Sequence, residues 1–382
     1  MKEKLTFEHQ IIFVSEMRNP RTNASSTQIM TKNLLGGFRT LTKDLVFIAV
    51  ISDFKDKDDI AEYYNDLCDT IVFCKDITSY RNNSLMSKIS MVKSTVCANK
   101  SYIPKEIYKI LKEDAVLISH SPSIDAALIC NEIKRKKHQI QYIQYWGDPL
   151  ALSLITPKEY SVKRSIQRWI EQRLHKNADK IVYGTKSLYD AQMELFPEIR
   201  SKSISVEVCY NIDECDVSGA CGKRLRIGYF GNYYSNIRDI MPFYEAAINI
   251  KEADFVIGGS GDIKLKSTDT VSVMSRIPQS EVAKEEAKLD VVICILNKVG
   301  VQIPGKVFYP TNTKKSIVVI TDGPNKENII DELNRSGRFV FCDNKKESIE
   351  RMLYRIINGE FSDKDLKSDY YNPTKICKQI LG

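Results

Sequence analysis

Short apolar runs alternate with longer stretches of helical spacing along almost the whole chain. In the first half, Ile11 to Val14, Leu45 to Ile51, Thr70 to Cys74, Ala115 to Ser119, Ile140 to Tyr145, Lys180 to Tyr183 and Ile204 to Tyr210 read as buried strands. Helical periodicity predicts a helix from about Ser26 to Phe38, closing on Gly36 and Gly37, and another through Tyr63 and Leu67. Further helices are predicted over Ser79 to Asn99, Pro104 to Lys112, Ser123 to Lys136, Pro157 to Asn177, and from Gly184-Thr185 to Phe196. Strands separated by helices of this length need right-handed crossovers and form a parallel sheet covered on both faces.

The alternation stops at Asn211 to Lys223 (NIDECDVSGACGK), a polar segment with two glycines and no period, which reads as a linker. It then restarts. Leu225 to Phe230, Asp254 to Ile257, Thr270 to Val273, Val291 to Leu296, Ile317 to Ile320 and Phe339 to Phe341 are the strands of a second parallel sheet. The expected fold class is therefore α/β, with two Rossmann-like, doubly wound domains facing a central cleft. Their expected bounds are 1–212 and 222–359, with a tail over 360–382 that packs back on the first. Ligands of such sheets lie beyond the carboxyl ends of the strands. The stretch from Leu225 to Ala247 (LRIGYFGNYYSNIRDIMPFYEAA) stands out there. Its strand breaks at Gly231-Asn232, and helical spacing follows through Ile237, Ile240, Met241, Tyr244 and Ala247. A strand turning directly into a helix would offer free backbone N–H groups to a phosphate; many such turns serve packing alone.

Composition narrows the partners. At 382 residues, 43% hydrophobic and 27% charged, the chain is a globular protein of two domains and not a disordered one. The net charge of +7 gathers locally, in Lys134 to Lys137 and from Lys163 to Lys180. Solvated helix faces account for such clusters most simply; an anionic membrane surface or a phosphorylated ligand is the functional reading, and the lack of a recognised module argues against nucleic acid. The ten cysteines form no C-x-x-C pair and no zinc spacing. With no export signal and no run long enough to span a bilayer, they point to a reducing cytoplasm.

The ordered motifs resemble those of GT-B fold glycosyltransferases, in particular family 4-like enzymes of bacterial surface polysaccharide, or capsule, assembly. VLISHSPS, QYWGDPLA, KNADKIVYGTKSLYDAQMELFP and SISVEVCYNID are similar to that family's first domain. LRIGYFGN, DFVIGGSGD, SRIPQSEVAKEEAKLDVVI and QIPGKVFYPTNTKKSIVVI are similar to its second. The resemblance implies a nucleotide-diphosphate sugar donor held by the second domain. It implies a glycan or lipid-linked acceptor at the first, with the enzyme cytoplasmic or peripheral on the inner face of the cell membrane.

It also implies a candidate site. The catalytic candidates are His120, Asp148 and Lys306. The donor-binding candidates are Gly231, Asn232, Arg238, Gly259, Ser260, Gly261, Arg276, Ile277, Gln302, Pro304, Gly305 and Tyr309; Arg18, Asn19 and Asn23 are the acceptor-binding ones. The plain alternatives are a core histidine, a turn aspartate before proline, and surface cations. Fixed cations at a diphosphate would stabilise the leaving group's growing charge. Asn232 stands where the family has an arginine, and Tyr309-Pro310 where a ribose-binding glutamate is common. No D-x-D motif stands at a strand end, so catalysis without a metal or other cofactor is expected. A non-hydrolysing sugar-nucleotide epimerase and a catalytically degenerate scaffold are the alternatives, the former disfavoured by only four histidines. Last, VKRSIQRWIEQRLHK places Val162, Ile166, Trp169, Ile170 and Leu174 on one apolar stripe. That stripe is expected to face the core, or to dock on an anionic membrane.

Overall fold

A computed structural model describes residues 7–20, 25–76, 103–120, 124–152, 162–210, 224–277, 279–313, 315–361 and 369–382. The expected helix over Ser79 to Asn99, the linker from Asn211 to Lys223, and Asn23 lie outside these residues. The chain divides into two compact units, Met1–Cys209 with Asn372–Gly382, and Tyr210–Tyr371.

The first unit carries a seven-stranded, wholly parallel sheet. Its strands are β1 (Ile11–Met17), β2 (Leu45–Ile51), β3 (Thr70–Lys75), β4 (Val116–His120), β5 (Gln141–Trp146), β6 (Lys180–Tyr183) and β7 (Ser203–Ser205). They lie in the order β3-β2-β1-β4-β5-β6-β7. Every residue of β2 is buried, as a strand covered on both faces requires. The connecting helices are α1 (Ser26–Arg39), α2 (Lys57–Tyr64), α3 (Lys105–Ile110), α4 (Ile124–Lys136), α5 (Val162–His175) and α6 (Lys186–Leu195). A capping box starts α1: Ser25 Oγ accepts from Gln28 N, and Gln28 Oε1 accepts from Ser25 N. β7 is shorter than its apolar run, because only Ser203–Ser205 pairs with β6.

The second unit repeats the plan with six parallel strands. These are β8 (Leu225–Phe230), β9 (Ala253–Gly258), β10 (Val271–Met274), β11 (Val291–Ile295), β12 (Ser316–Thr321) and β13 (Val340–Asp343), in the order β10-β9-β8-β11-β12-β13. Its helices are α7 (Met241–Asn249), α8 (Gln279–Ala287), α9 (Lys326–Asn334) and α10 (Lys346–Ile357). Both sheets reverse their strand order once, between β1 and β4 and between β8 and β11. Both units are Rossmann-like and doubly wound.

Beyond the second unit, α11 (Pro373–Leu381) returns to the first. Ile376, Cys377 and Ile380 are fully buried there in a core shared with Leu34, Leu35 and Phe38 of α1. This packing corrects the closing role expected of Gly36-Gly37, though the helix bounds themselves agree to one residue. The helix runs through Gly36-Gly37 to Arg39. A Cβ on Gly37 would stand 2.6 Å from Cys377 Sγ and 2.7 Å from the Pro373 carbonyl oxygen. The glycine permits close helix approach and does not terminate the helix.

Candidate functional site

The carboxyl end of the second sheet, where β8 and β11 part, gathers most of the candidates. The loop after β8 does not turn directly into a helix, contrary to its helical spacing. Ten residues, Gly231 to Ile240, intervene before α7. The Gly231 N–H donates to the Gly258 carbonyl at 2.9 Å and the Tyr233 N–H to that of Ser260 at 3.1 Å. These bonds lay the loop against the turn after β9, and they explain the glycines. Gly259 has φ +146°, and a Cβ on it would come within 2.0 Å of the Gly231 oxygen; one on Gly261 would come within 1.9 Å of the Tyr233 oxygen. The glycines are there so that two backbones can touch. The expected free N–H at Gly231 is therefore already engaged. Ser260 Oγ lies 3.4 Å from Asn232 Oδ1.

Side chains then tie this loop to the one after β11. Arg238 donates through Nη2 to Asn297 Oδ1 at 2.8 Å and through Nη1 to the Asn232 carbonyl at 3.2 Å. Its Nε is buried without a hydrogen-bond partner. Asn297, itself buried, donates onward to the Gln302 carbonyl at 3.0 Å. Lys298 donates to the Ser235 carbonyl and to Asp239 Oδ2, at 3.1 and 3.0 Å. Pro304 and Gly305 accept from the Val307 and Phe308 N–H groups, forming the short turn that presents Lys306.

Lys306 Nζ lies 3.8 Å from Glu286 Oε1 of α8, longer than a hydrogen bond, and both side chains are about one-third exposed or less. Burial lowers the Lys306 pKa; the Glu286 charge opposes this and the Arg238 charge adds to it. Burial raises that of Glu286, against the pull of Lys306. Two cations from different loops are thus within electrostatic range on one sheet edge, with one loosely held carboxylate beside them. Such clustering is unfavourable unless an anion offsets it.

Tyr309 is mostly buried, its ring stacked on Tyr210 at 4.7 Å and 17°. The segment beyond it is fastened from below by Arg338. This buried arginine donates to the carbonyls of Thr311, Pro310, Thr313 and Lys315, at 3.2, 3.3, 2.7 and 2.7 Å. Arg276 and Ile277 follow β10, at the same edge but two strands away; Arg276 is exposed and Ile277 half-buried.

The first unit holds the remaining candidates at the carboxyl edge of its own sheet. His120 ends β4 and is buried. Its Nδ1 lies 3.0 Å from Thr31 Oγ1 and 3.2 Å from Ser15 Oγ, and its ring packs between those of Phe13 and Tyr145. Burial takes its pKa down to about 3, so the imidazole is neutral. Asn19 is tied to Asp56 and Asp59, while Arg18 is exposed. Asp148 lies half-buried just past β5. The loop carrying it is anchored by Glu171 of α5, whose Oε2 accepts from the Ala151 N–H at 2.6 Å.

Asn297, Lys298, Glu286 and Arg338 escaped the sequence reading. Asn297 and Lys298 could have been found from position, since they follow directly on the run of β11. Arg338 and Glu286 carry no local signal.

No protein-family model and no curated protein sequence matches the chain. Solved structures do. The N-terminal domain of Candida albicans trehalose-6-phosphate phosphatase aligns over 100% of this chain and 98% of its own, with TM-score 0.61 and 11% identity. Anabaena Alr3699/HepE in complex with UDP-glucose aligns over 97% and 95%, with TM-score 0.58 and 9% identity. A putative UDP-N-acetylglucosamine 2-epimerase from Listeria monocytogenes aligns over the same shares, with TM-score 0.55 and 11% identity. At these identities the likeness is one of fold, and the fold is the GT-B type, two Rossmann-like units in one chain.

Proposed function

We propose that this protein is a sugar-nucleotide enzyme and, more narrowly, a glycosyltransferase. It would move a sugar from a nucleotide-diphosphate donor to a glycan or lipid-linked acceptor. The observation that carries this reading is the pairing of Arg238 with Lys306 where β8 and β11 diverge. In the proposed reaction the bond from the sugar's C1 to the β-phosphate oxygen breaks, its electron pair staying on the phosphate. An acceptor hydroxyl oxygen forms the new bond to C1, and its proton passes to the departing diphosphate. The two cations meet the charge that grows on the departing diphosphate, which stabilises the transition state more than the bound donor. Glu286 yields its loose hold on Lys306 when the diphosphate enters. The solved structures bound to UDP or UDP-glucose, and those named for UDP-N-acetylglucosamine 2-epimerases, support a sugar nucleotide as ligand.

A diphosphate site suits a transferase and a sugar-nucleotide epimerase alike, so the product decides between them. The test is calorimetric titration of UDP and GDP into the wild type, Arg238→Met and Lys306→Met, followed by product analysis with UDP- and GDP-sugars. Measurable diphosphate binding, weakened at least about tenfold in each variant, supports the site. Free nucleotide diphosphate with a transferred sugar supports the transferase; an isomerised sugar nucleotide supports the epimerase. Equal affinity in all three proteins, or none for any nucleotide diphosphate, refutes the assignment.

A further inference from the structure

Helix α5 divides its apolar residues between two faces. Its inward face carries Gln167, Glu171 and His175 beside Ile170 and Leu174, all buried. Glu171 and His175 are held there by hydrogen bonds. Glu171 accepts from the Ala151 N–H and from Gln192 Nε2, and His175 Nδ1 meets Gln144 Oε1 at 2.9 Å. Of the expected apolar stripe, Ile170 and Leu174 do face the core, whereas Val162, Ile166 and Trp169 face outward. They are 77%, 39% and 39% exposed, three of the eight large apolar side chains exposed among the described residues. The spacing i, i+4, i+7 sets them in one line, which Arg173 at i+11 continues.

The surroundings of that line are basic. Lys163, Arg168 and Arg173 are exposed on the same helix and Lys176 just past its end, while the helix's one carboxyl, Glu171, is buried. The Arg173 guanidinium lies over the Trp169 ring at 5.6 Å. A pocket of about 390 Å³ opens at the end of the stripe, lined among others by Trp169, Arg173, Lys176 and Lys202. Glu198 also lines it and accepts from Gln172 Nε2 at 2.8 Å.

We infer that the outward face of α5 docks on an anionic lipid surface. Two features choose this occupant. First, three side chains in a single line fall well short of the roughly 800 Å² per partner that a stable protein complex buries. A bilayer interface accepts a narrow apolar strip when cations on either side meet lipid phosphates. Second, an indole beside long basic side chains suits the headgroup level, where the ring is half-immersed and the charges reach outward. Among the described residues no helix is long and apolar enough to cross a membrane, so the contact inferred is with the surface. It does not rest on the sugar-nucleotide reading, which concerns the second unit.

The test is flotation of the full chain with phosphatidylcholine vesicles, with and without phosphatidylglycerol, at low and high salt. Trp169 emission is recorded in parallel. Trp146 is buried and supplies a constant background. The protein is expected to float with anionic vesicles only, to lose binding as salt rises, and to shift its emission to the blue. Ile166→Ser/Trp169→Ser and, separately, Arg173→Glu/Lys176→Glu should each weaken binding more than about tenfold while leaving the circular dichroism melt and any nucleotide affinity unchanged. No flotation at low salt, equal binding to neutral vesicles, or full binding by the charge-reversed variant overturns the inference. So does a dimer in solution that Ile166→Ser/Trp169→Ser dissolves, which would make a second copy the occupant.

Discussion

Replacing Arg338 with methionine tests how the second unit holds Lys306 and Tyr309 in place. The arginine's four acceptors span Pro310 to Lys315, the return from the candidate site to β12. The two contacts at 2.7 Å are short enough to count as full charge-assisted bonds, worth about 1.5–3 kcal/mol each. Those at 3.2 and 3.3 Å add less. Burial already takes the guanidinium pKa down to about 10, a sign that desolvation offsets part of this gain. Methionine fills much of the volume and removes that desolvation term, yet leaves several carbonyls without a donor. The net expectation is a loss of about 3 kcal/mol from the second unit. Both tryptophans, Trp146 and Trp169, belong to the first unit, so indole fluorescence is the wrong probe. Hydrogen exchange read by mass spectrometry suits the question. Peptides over 305–316 and across β12 and β13 should lose protection in Arg338→Met, while those of β1 and β4 keep theirs. Unchanged protection over 305–316, or a stability loss below about 1 kcal/mol, would show that the four contacts do not set the loop.

Two further outcomes follow from the same geometry. Gly259→Ala puts a side chain at φ +146° and 2.0 Å from the Gly231 oxygen. It should cost about 2–3 kcal/mol in a urea titration and weaken nucleotide binding by opening the paired loops; Gly36→Ala, with nothing within 4 Å of the added Cβ, should be neutral or mildly stabilising. Glu171 is a carboxyl whose folded pKa is raised by burial to about 7 from an ordinary 4.5. Between those values the folded state holds a proton that the unfolded state has released. Its contribution is therefore fully present below about pH 4.5 and is lost as pH rises through about 7, by up to roughly 3 kcal/mol. Urea midpoints at about pH 5 and about pH 7.5 should diverge in the wild type relative to Glu171→Gln. Parallel changes in the two proteins would mean that Glu171 does not titrate there.

The apolar runs made the two sheets readable. A strand buried on both faces, such as LVFIAVI of β2, has no other stable place, and its predicted bounds match the observed Leu45–Ile51. Periodicity failed where tertiary hydrogen bonds decide orientation. Nothing in VKRSIQRWIEQRLHK shows that Gln144, Ala151 and Gln192, distant in sequence, wait to receive Glu171 and His175. Ile170 and Leu174 therefore share the inward face with these polar groups, while Val162, Ile166 and Trp169 turn out. Likewise Gly36-Gly37 looks like a helix end until Cys377 and Pro373 are seen against it. In the second unit, Arg238 and Lys306 were visible as cations near strand ends, but their shared field was not. It comes from β8 and β11, 59 residues apart at Arg238 and Asn297, lying side by side.

The placement of α11 has a consequence for synthesis. The first unit's core includes Ile376, Cys377 and Ile380, which a ribosome reaches only after the whole of the second unit has been made. The chain leaves the first unit after Cys209 and re-enters at Asn372, and the two crossings are stitched together where Tyr210 N–H meets the Tyr371 carbonyl at 2.8 Å. The unit translated first is therefore completed last. Until then its α1 face, with Leu34 and Phe38, lacks the helix that covers it in the finished fold.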